Sequence, residues 1–543
     1  MFLSEYPSLS LFRKHGLGTF LSLLLLSACS PDNDALPGDG GGNTSSAELR
    51  IEVSASDFAT TRGDVGNSNG SNNTATRATD NGNITSFENG DCIGIIVLDN
   101  SNNVLSDNIP YKYNGNAWSF DATNSEGKTA IYYDNKAVNL TYLAYFPYSK
   151  EANGVTDIAG LKEKFPPQYD QRTKAAYRAS DLLVWSKTFS GTPSKTLAIA
   201  FTHAYSSLSL SPSIKCKING AETSYVPSSV SDASFTIGTE PLLPYCADDG
   251  RHRIIVSPQT TDARWLCAYG GAMHSGTMGS TELSANTRYT LAPILDIGTY
   301  SLDNACVGDF YCRADDGTGY LVPGEAVSII NLSSCVGLVF YVGRHPDDKT
   351  DYSTTKIGQK QCHGYVMALT DVNTGSNDRL RWEYRSSDNK YNQQVGTSTS
   401  DSDWNGYSNT QAIKQYVAEN SGGWAITDFP AANGCLLYGT DQSLYGWQTV
   451  YAAPTNSSGW FLPSAGQLSY LYENRSDLAA RIQALGSKLE SSYIKWFSTI
   501  WYYWSSSEYS DYSSSAYRVD FYGGYVDWYG KDRTYDVRAV SAF

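Results

Sequence analysis

The chain has 543 residues, which at about 150 residues per domain corresponds to three or four domains. Only 17% of the residues are charged and 13% are aromatic, a composition typical of extracellular proteins rich in β-strands. The net charge of −15 argues against nucleic-acid binding, and no apolar run beyond the first thirty residues reaches about 18, which excludes a polytopic membrane protein.

The first 28 residues have the pattern of a signal peptide. A basic stretch at 13–15 precedes an apolar run at 17–26, and Leu26-Ser27-Ala28-Cys29 follows directly. This tetrapeptide resembles a bacterial lipobox, so residues 1–28 are predicted to be a lipoprotein signal peptide and Cys29 the acylated first residue of the mature chain. A secretory peptide that is cut elsewhere and leaves Cys29 unmodified is the alternative. Acyl chains on Cys29 would anchor the protein in the outer membrane.

Residues 29–47 are rich in Gly, Ser and Asp and are predicted to form a flexible tether. Residues 49–53 then alternate apolar and polar side chains, as a first strand does. After a polar stretch, short strand candidates separated by turn residues follow at 92–98, 131–133, 138–146, 182–185, 197–201, 207–210 and 253–256. Such spacing predicts β-sandwiches, which are placed at 48–185 and 186–298.

From residue 299 the pattern becomes mixed, and 299–543 is predicted to be an α+β domain. Helices are expected at 409–420 and 464–489, where Ser464 and Gln467 form a capping box. Residues 516–521 and 524–528 alternate as the two strands of a hairpin, and 537–540 form a last strand.

Nine cysteines remain besides Cys29, an odd number that cannot pair completely within one chain. Buried free thiols and two or three disulfides fit the wide spacings equally well, so no pairing is assigned.

Five short motifs occur in a definite order at 76–79, 87–91, 144–148, 180–183 and 201–204. Together they resemble the fimbrillin family of Bacteroides-type bacteria, and the resemblance covers residues 47–296. It implies two tandem transthyretin-like β-sandwiches. Three further motifs, at 459–463, 503–508 and 537–540, resemble the C-terminal domain of large surface proteins from these bacteria. That resemblance implies a C-type-lectin-like α+β domain after the sandwiches, in a chain that is mostly β.

The fimbrillin resemblance implies a fimbrial subunit that a trypsin-like protease trims after an arginine, which opens a groove for a strand of the next subunit. Arg50, Arg62 and Arg77 are the candidate cleavage sites, and ordinary surface arginines are the alternative. Stalk subunits of the family end in a segment that can be donated, whereas this chain is expected to end in a folded domain. The sequence therefore predicts a tip subunit that accepts a strand and displays an adhesin.

No catalytic residue, metal or cofactor is predicted, because the chain lacks the motifs H-E-x-x-H, G-x-x-x-x-G-K-[ST] and G-x-G-x-x-G. His203 lies in an apolar, strand-like run and is expected to be structural. The C-terminal domain also lacks the late cysteines of formylglycine-generating enzymes, since Cys435 is the last one.

Tyr and Trp residues crowd positions 496–529, and rigid aromatic side chains give contact area at a low entropy cost. Trp504 and Phe521 are expected to be buried. The candidate ligand-binding aromatic residues are Trp501, Tyr509, Tyr512, Tyr525 and Trp528.

The sequence thus predicts a fimbrial tip adhesin at the outer-membrane surface, without enzymatic activity. Its expected partners are other fimbrial subunits and a glycan or protein ligand. The alternative is a surface lipoprotein that does not polymerise and that binds glycan or protein.

Overall fold

Short strands are the main regular secondary structure of a computed structural model, which describes residues 47–62, 86–134, 138–191, 194–372, 379–385, 387–440, 451–485, 497 and 502–543. The strands up to residue 300 are β1 (Arg50–Ala55), β2 (Ala59–Arg62), β3 (Cys92–Leu98), β4 (Val104–Tyr113), β5 (Trp118–Phe120), β6 (Leu140–Phe146), β7 (Leu183–Phe189), β8 (Thr196–His203), β9 (Ser206–Leu210), β10 (Ser213–Ile218), β11 (Ala221–Tyr225), β12 (Ser231–Ile237), β13 (Glu240–Leu242), β14 (Tyr245–Cys246), β15 (His252–Val256), β16 (Thr260–Thr261), β17 (Arg264–Tyr269), β18 (Ala272–Thr277), β19 (Thr281–Glu282), β20 (Thr287–Leu291) and β21 (Ile294–Tyr300).

The strands of the remaining residues are β22 (Phe310–Arg313), β23 (Gly319–Val322), β24 (Cys335–Val342), β25 (Gly364–Ala368), β26 (Leu380–Arg381), β27 (Trp460–Phe461), β28 (Tyr502–Glu508), β29 (Ser515–Asp520), β30 (Val526–Gly530), β31 (Thr534–Tyr535) and β32 (Val540–Ala542). The α-helices are α1 (Ile158–Lys164), α2 (Lys174–Ser180), α3 (Gly406–Glu419), α4 (Pro430–Leu437), α5 (Ala465–Glu473) and α6 (Arg475–Gln483). The fold is therefore mostly β with few helices among the described residues.

The first sheet has seven strands in the order β1-β8-β7-β6-β3-β4-β5. Its strand β8 alternates buried and exposed residues, so that Leu197, Ile199 and Phe201 enter a core on one face of the sheet. Residues of α1 and α2 pack in a second core with the other face. The predicted boundary between residues 185 and 186 falls within β7, and the sheet continues to the end of β8, because β8 supplies the pairing edge for β1. The division into three domains stays a prediction.

The second region is built from several small sheets. Five strands pair in the order β14-β15-β9-β20-β2, four in the order β13-β12-β17-β18 and three in the order β11-β10-β21, and β16 pairs with β19. Side chains from three of these sheets meet in one core, which includes Leu208, Ile214, Phe235 and Trp265. Layers of sheets around a shared core are typical of sandwich-like β folds.

The C-terminal region is mixed α+β, as predicted. Its main sheet has the order β23-β22-β24-β25-β32-β27, a second sheet has the order β28-β29-β30, and β26 pairs with β31. Strand β32 lies between two neighbours and is followed by Phe543, whose side chain is buried. This last strand is thus an interior part of the main sheet.

The predicted helix at 464–489 is divided into α5 and α6. The capping box of Ser464 and Gln467 is confirmed at its start. The two helices are separated at Asn474, which is the C-cap of α5 and the N-cap of α6, and the side-chain amide of this residue donates to the carbonyl of Tyr470. Trp504 and Phe521 are buried, as expected.

The buried apolar residues of the second region and of the C-terminal region form one continuous cluster, which extends from Leu208 to Phe543. Of the strands at this junction, β22 contributes Phe310, Tyr311 and Cys312 to the cluster, whereas β21 is mostly exposed and contributes Leu295. In the described part of the chain, no helix combines the length and the apolar character needed to cross a membrane.

Candidate functional site

The first site is the N-terminal segment 50–62, which contains β1 and β2. Strand β1 lies at one edge of the seven-stranded sheet and runs parallel to β8, with Ile51 opposite Leu197 and Val53 opposite Ile199. Strand β2 lies at one edge of the five-stranded sheet and runs parallel to β20. One short segment therefore covers the edges of two successive sheets.

The segment also closes the apolar core of the first sheet. Leu49 and Ile51 are buried, and both belong to the cluster that contains Leu197, Ile199 and Phe201. Loss of the segment would expose these side chains together with the unpaired backbone groups of β8. Such an edge is a template for another strand.

The corner between β1 and β2 is fastened by polar contacts. The N–H of Ser56 donates to the carbonyl of Phe201, and the N–H of Ala59 donates to the carbonyl of Asn286, at 3.0 and 2.9 Å. Nε2 of His203 lies 3.1 Å from the carbonyl oxygen of Ser56, while its Nδ1 lies 2.7 Å from Asp181 Oδ1. His203 is buried with hydrogen-bonding partners on both ring nitrogens, which agrees with the expected structural role.

The predicted cleavage sites differ in position relative to this segment. Arg50 is the first residue of β1, and its exposed guanidinium lies 3.0 Å from Glu52. Arg62 is the last residue of β2. Cleavage after Arg62 would separate both strands from the rest of the chain, whereas cleavage after Arg50 would leave them attached. Arg77 and the predicted lipidation site Cys29 lie outside the described residues.

The second site is an aromatic cluster at one end of the sheet β28-β29-β30. The rings of Tyr509 and Trp528 stack with centroids 4.6 Å apart and an interplanar angle of 9°. Tyr512 lies 5.3 Å from Trp528, and Tyr517 meets the edge of Tyr509 at 5.6 Å. We call these four residues the aromatic face. Burial and the neighbouring Asp511 raise the pKa of Tyr509, so its phenol stays protonated at neutral pH.

The structure brings together three of the five predicted aromatic residues, namely Tyr509, Tyr512 and Trp528. Tyr525 is exposed in the turn between β29 and β30, beside Gly523, and Trp501 lies outside the described residues. Cross-strand pairing explains the grouping, because Tyr517 is directly opposite Trp528.

Arg518 supports the same sheet from the position after Tyr517. Its guanidinium lies 3.7 Å from the ring centroid of Tyr502 and 4.3 Å from that of Tyr529, and it pairs with Asp527 at 3.1 Å. Because neighbouring residues of a strand point to opposite faces, Arg518 and its rings stiffen the sheet from the side away from Tyr517. Arg518 is not among the candidate residues predicted from the sequence, although its place among alternating tyrosines was a usable signal.

A buried ion network lies beneath this sheet. Lys531 Nζ lies 2.6 Å from Glu508 Oε1 and 3.2 Å from Glu383 Oε2, with all three side chains fully buried. Glu508 also accepts hydrogen bonds from the backbone N–H groups of Val395 and Thr397. Burial raises the pKa of Glu383 to about 7, although Lys531 acts in the opposite direction. The network joins the loop at 393–397 to the end of β28. Because its side chains are fully buried, we interpret it as a structural element.

Among the residues that the structure describes, no group of three or more His, Cys, Asp or Glu side chains is arranged to hold a metal ion. The strand-covered edges and the aromatic face are two described surfaces that fit a function.

Comparison with known proteins finds a family model that matches part of the chain. Residues 76–302 match the model of a family described as fimbrillin-like. This segment is therefore similar to the proteins of that family. It contains β3 to β21, and therefore most of the first sheet together with the small sheets of the second region.

A relative extends the similarity beyond the fimbrillin-like segment. Over 498 residues the chain is 25% identical to the Bacteroides ovatus protein named "Putative fimbrium tip subunit Fim1C", and the match covers 81% of this chain and 84% of that protein.

Solved structures of fimbrial proteins are also similar to the chain. A fimbrial protein from Bacteroides ovatus is 20% identical with a TM-score of 0.37, and the match covers 92% of this chain and 100% of that one. A fimbrial assembly protein from Parabacteroides distasonis is 9% identical with a TM-score of 0.24, over 38% of this chain and 83% of that one. All three of these proteins carry the names of fimbrial proteins and not of enzymes.

Proposed function

We propose that this protein is the tip subunit of a fimbrium and an adhesin. It is exported as a lipoprotein that is acylated on Cys29 and displayed at the outer-membrane surface. The fimbrillin-like segment at 76–302 and the similarity to a Bacteroides ovatus protein with a tip-subunit name support this assignment.

In this proposal the subunit joins the fimbrium by accepting a strand. A protease cuts after Arg62 or Arg77, the segment with β1 and β2 leaves, and a strand of a neighbouring subunit takes its place. The observation that carries the proposal is that one segment immediately before Arg62 covers the edges of two sheets. A replacement strand would recover the main-chain hydrogen bonds along both edges, which is the basis of β-augmentation.

In the same proposal the subunit accepts a strand from a neighbour and does not donate its own last strand. Strand β32 pairs with β25 on one side and with β27 on the other, and Phe543 packs against Tyr311 with ring centroids 5.1 Å apart. Withdrawal of β32 would divide the main sheet and open its core, so this strand is not free to enter another subunit.

The C-terminal region carries the ligand-binding function in this proposal. The aromatic face offers stacked rings beside the acidic side chain of Asp511, and Tyr512 is 54% exposed. Flat rings next to hydrogen-bonding groups suit a glycan, whose C–H faces stack on them, or a protein loop.

The test is the intact mass and N-terminal sequence of the protein recovered from the surface of its native host. We expect a chain that begins after Arg62 or Arg77, lacks the lipid and occurs in high-mass polymers. An Arg62→Ala, Arg77→Ala double variant is expected to keep its N-terminal segment and to stay out of polymers, while Arg50→Ala is the matched control and behaves as the unchanged protein.

A surface protein that still begins at acylated Cys29 would contradict strand exchange and favour a permanently anchored binding protein. A new terminus after Arg50 would also contradict the proposal, because β1 and β2 would remain attached.

A further inference from the structure

Phe58 is a buried aromatic residue in the corner between β1 and β2. It is the large apolar residue of an otherwise polar corner, and only 7% of it is exposed. Its ring stacks on the imidazole of His203 with centroids 3.5 Å apart and an interplanar angle of 15°. The guanidinium of Arg288 lies 5.1 Å from the centre of the same ring. Phe58 therefore lies between the last residue of β8 and a residue of β20.

The surface that receives this ring is held by groups outside the segment. Nδ1 of His203 lies 2.7 Å from Asp181 Oδ1, and the N–H of His203 donates to the side chain of Asn286 at 3.1 Å. Because Asp181 and Asn286 both follow Arg62 in the chain, these contacts persist when residues up to Arg62 are removed. The imidazole ring would keep its orientation in the trimmed protein.

Space for a larger ring is present next to Phe58. A cavity of about 220 Å³ is lined by Phe58 together with Tyr177, Asp181, Tyr245 and Arg288. Tyr177 and Tyr245 stack with centroids 5.5 Å apart and supply an aromatic wall. We call the set Tyr177, Asp181, His203, Tyr245 and Arg288 the Phe58 socket.

We propose that the Phe58 socket selects the incoming strand of a partner subunit by an aromatic side chain at the position of Phe58. The inference rests on the strand exchange proposed above and names the chemistry of the partner. That strand carries apolar side chains at the positions of Ile51 and Val53, which face Leu197 and Ile199, and then an aromatic residue where the strand crosses to β20. Stacking on an imidazole and contact with a guanidinium both require a π face, which an aliphatic side chain lacks.

The occupant is inferred from the segment that fills the groove in this structure. Residues 50–62 pair in register with β8 and with β20. A strand that replaces them meets the same edges and the same socket. Strands with the apolar pattern but no aromatic residue at the corner would pair with β8 and leave the socket empty, which penalises wrong partners.

The experiment uses the full chain with Arg50→Ala, cut in place by an arginine-specific protease that is then inhibited, and fluorescent peptides with the sequence of residues 48–62 and the same Arg50→Ala change. Capture of each peptide is measured by anisotropy in competition with the unlabelled native peptide. The native peptide, Phe58→Tyr and the control Thr60→Ala, which changes an exposed residue of β2, are expected to bind alike. Phe58→Ala and Phe58→Leu are expected to bind about tenfold or more weakly.

A variant of the socket completes the test. Arg288→Ala is expected to reduce the preference for the native peptide over the Phe58→Leu peptide, while Arg264→Ala, an exposed residue of β17, leaves that preference unchanged. Circular dichroism and thermal unfolding confirm that both variants are folded.

The possible outcomes distinguish a failure of the Phe58 socket from a failure of strand exchange. Capture of the native and Phe58→Ala peptides with equal affinity overturns the socket and leaves strand exchange intact. Failure to capture any peptide after complete cleavage overturns the socket together with strand exchange.

Discussion

Trp528 is a residue whose exposure and stacking point to a role outside the core. Its side chain is 39% exposed, although one face of the indole is covered by Tyr509. A core tryptophan of this sheet, Trp504, is fully buried and donates its indole N–H to the carbonyl of Leu380. The contrast shows which aromatic residues maintain the fold and which remain available for contact.

Replacement of Trp528 by alanine is expected to weaken ligand binding about tenfold, because an aromatic contact contributes about 1 kcal/mol to binding beyond the effect of the surface area that it buries. The melting temperature is expected to change little. Binding is measured on a mixed glycan array and by adhesion of fimbriated cells. Tyr522→Ala is the control, since Tyr522 is 78% exposed in the hairpin turn. Equal losses in both variants would contradict a specific role for the aromatic face.

Glu383 gives the buried ion network a dependence on pH. Burial raises its pKa from 4.5 to about 7, so the folded chain holds this proton more tightly than the unfolded chain. The resulting stabilisation is complete below about pH 4.5 and is lost as the pH rises through about 7.

Glu383→Gln is expected to remove this pH dependence. Between pH 4.5 and 7, the free energy of unfolding of the unchanged protein should fall relative to the variant by up to about 1.4 kcal/mol per pH unit. Urea unfolding at a series of pH values measures the difference, with Glu419→Gln on the exposed side of α3 as the control. A pH slope that is unchanged in Glu383→Gln would refute the assignment.

At the scale of elements, the adjacent strands β22 and β24 contain two facing cysteines. Cys312 and Cys335 are partners in the strand register, both are buried, and their sulfur atoms lie 3.0 Å apart as free thiols. Directly facing cysteines of neighbouring strands need little movement to form a bond.

Refolding of the unfolded chain in oxidised glutathione is expected to join Cys312 to Cys335, with the loss of two hydrogens and the release of two reduced glutathione molecules. The oxidant must meet the unfolded chain because both thiols are buried in the fold and burial raises the pKa of Cys312. The disulfide should add about 3 kcal/mol to the free energy of unfolding, because it closes a loop in the unfolded chain and lowers the entropy of that chain. Peptide mapping without reduction identifies the bond, and Cys335→Ser is the control. A map that shows both residues alkylated after oxidation would contradict this expectation.

The elements also show what local patterns can predict. Alternation located β1, β8 and the hairpin of β29 and β30, and a capping box located the start of α5, because these features depend on neighbours in the chain. The position of β2 depends on β20, more than two hundred residues away, and the stretch 59–62 has no apolar pattern of its own. Phe58, a single large apolar residue in a polar stretch, was the available signal. Cys29, Arg77 and Trp501 lie outside the described residues and remain predictions.

At the scale of the whole molecule, the segment 50–62 joins the first sheet to the second region in addition to completing each sheet. Ser56 contacts β8 through Phe201 and contacts the second region through its hydroxyl, which lies 3.4 Å from the side chain of Asn286. Replacement of this segment by a partner strand would therefore insert the partner between two parts of the subunit. In the proposed strand exchange, a single strand of the partner would then contact both parts of this subunit.

The continuous core from Leu208 to Phe543 has a mechanical consequence. In the proposed adhesin, tension applied at the aromatic face would pass into the second region through the side chains of this shared cluster. At the other end it reaches β1 and β8, which run side by side in the same direction, so a pull along them loads many hydrogen bonds at once in shear. In the proposed tip subunit, drag from flowing liquid would therefore be carried by many contacts at once.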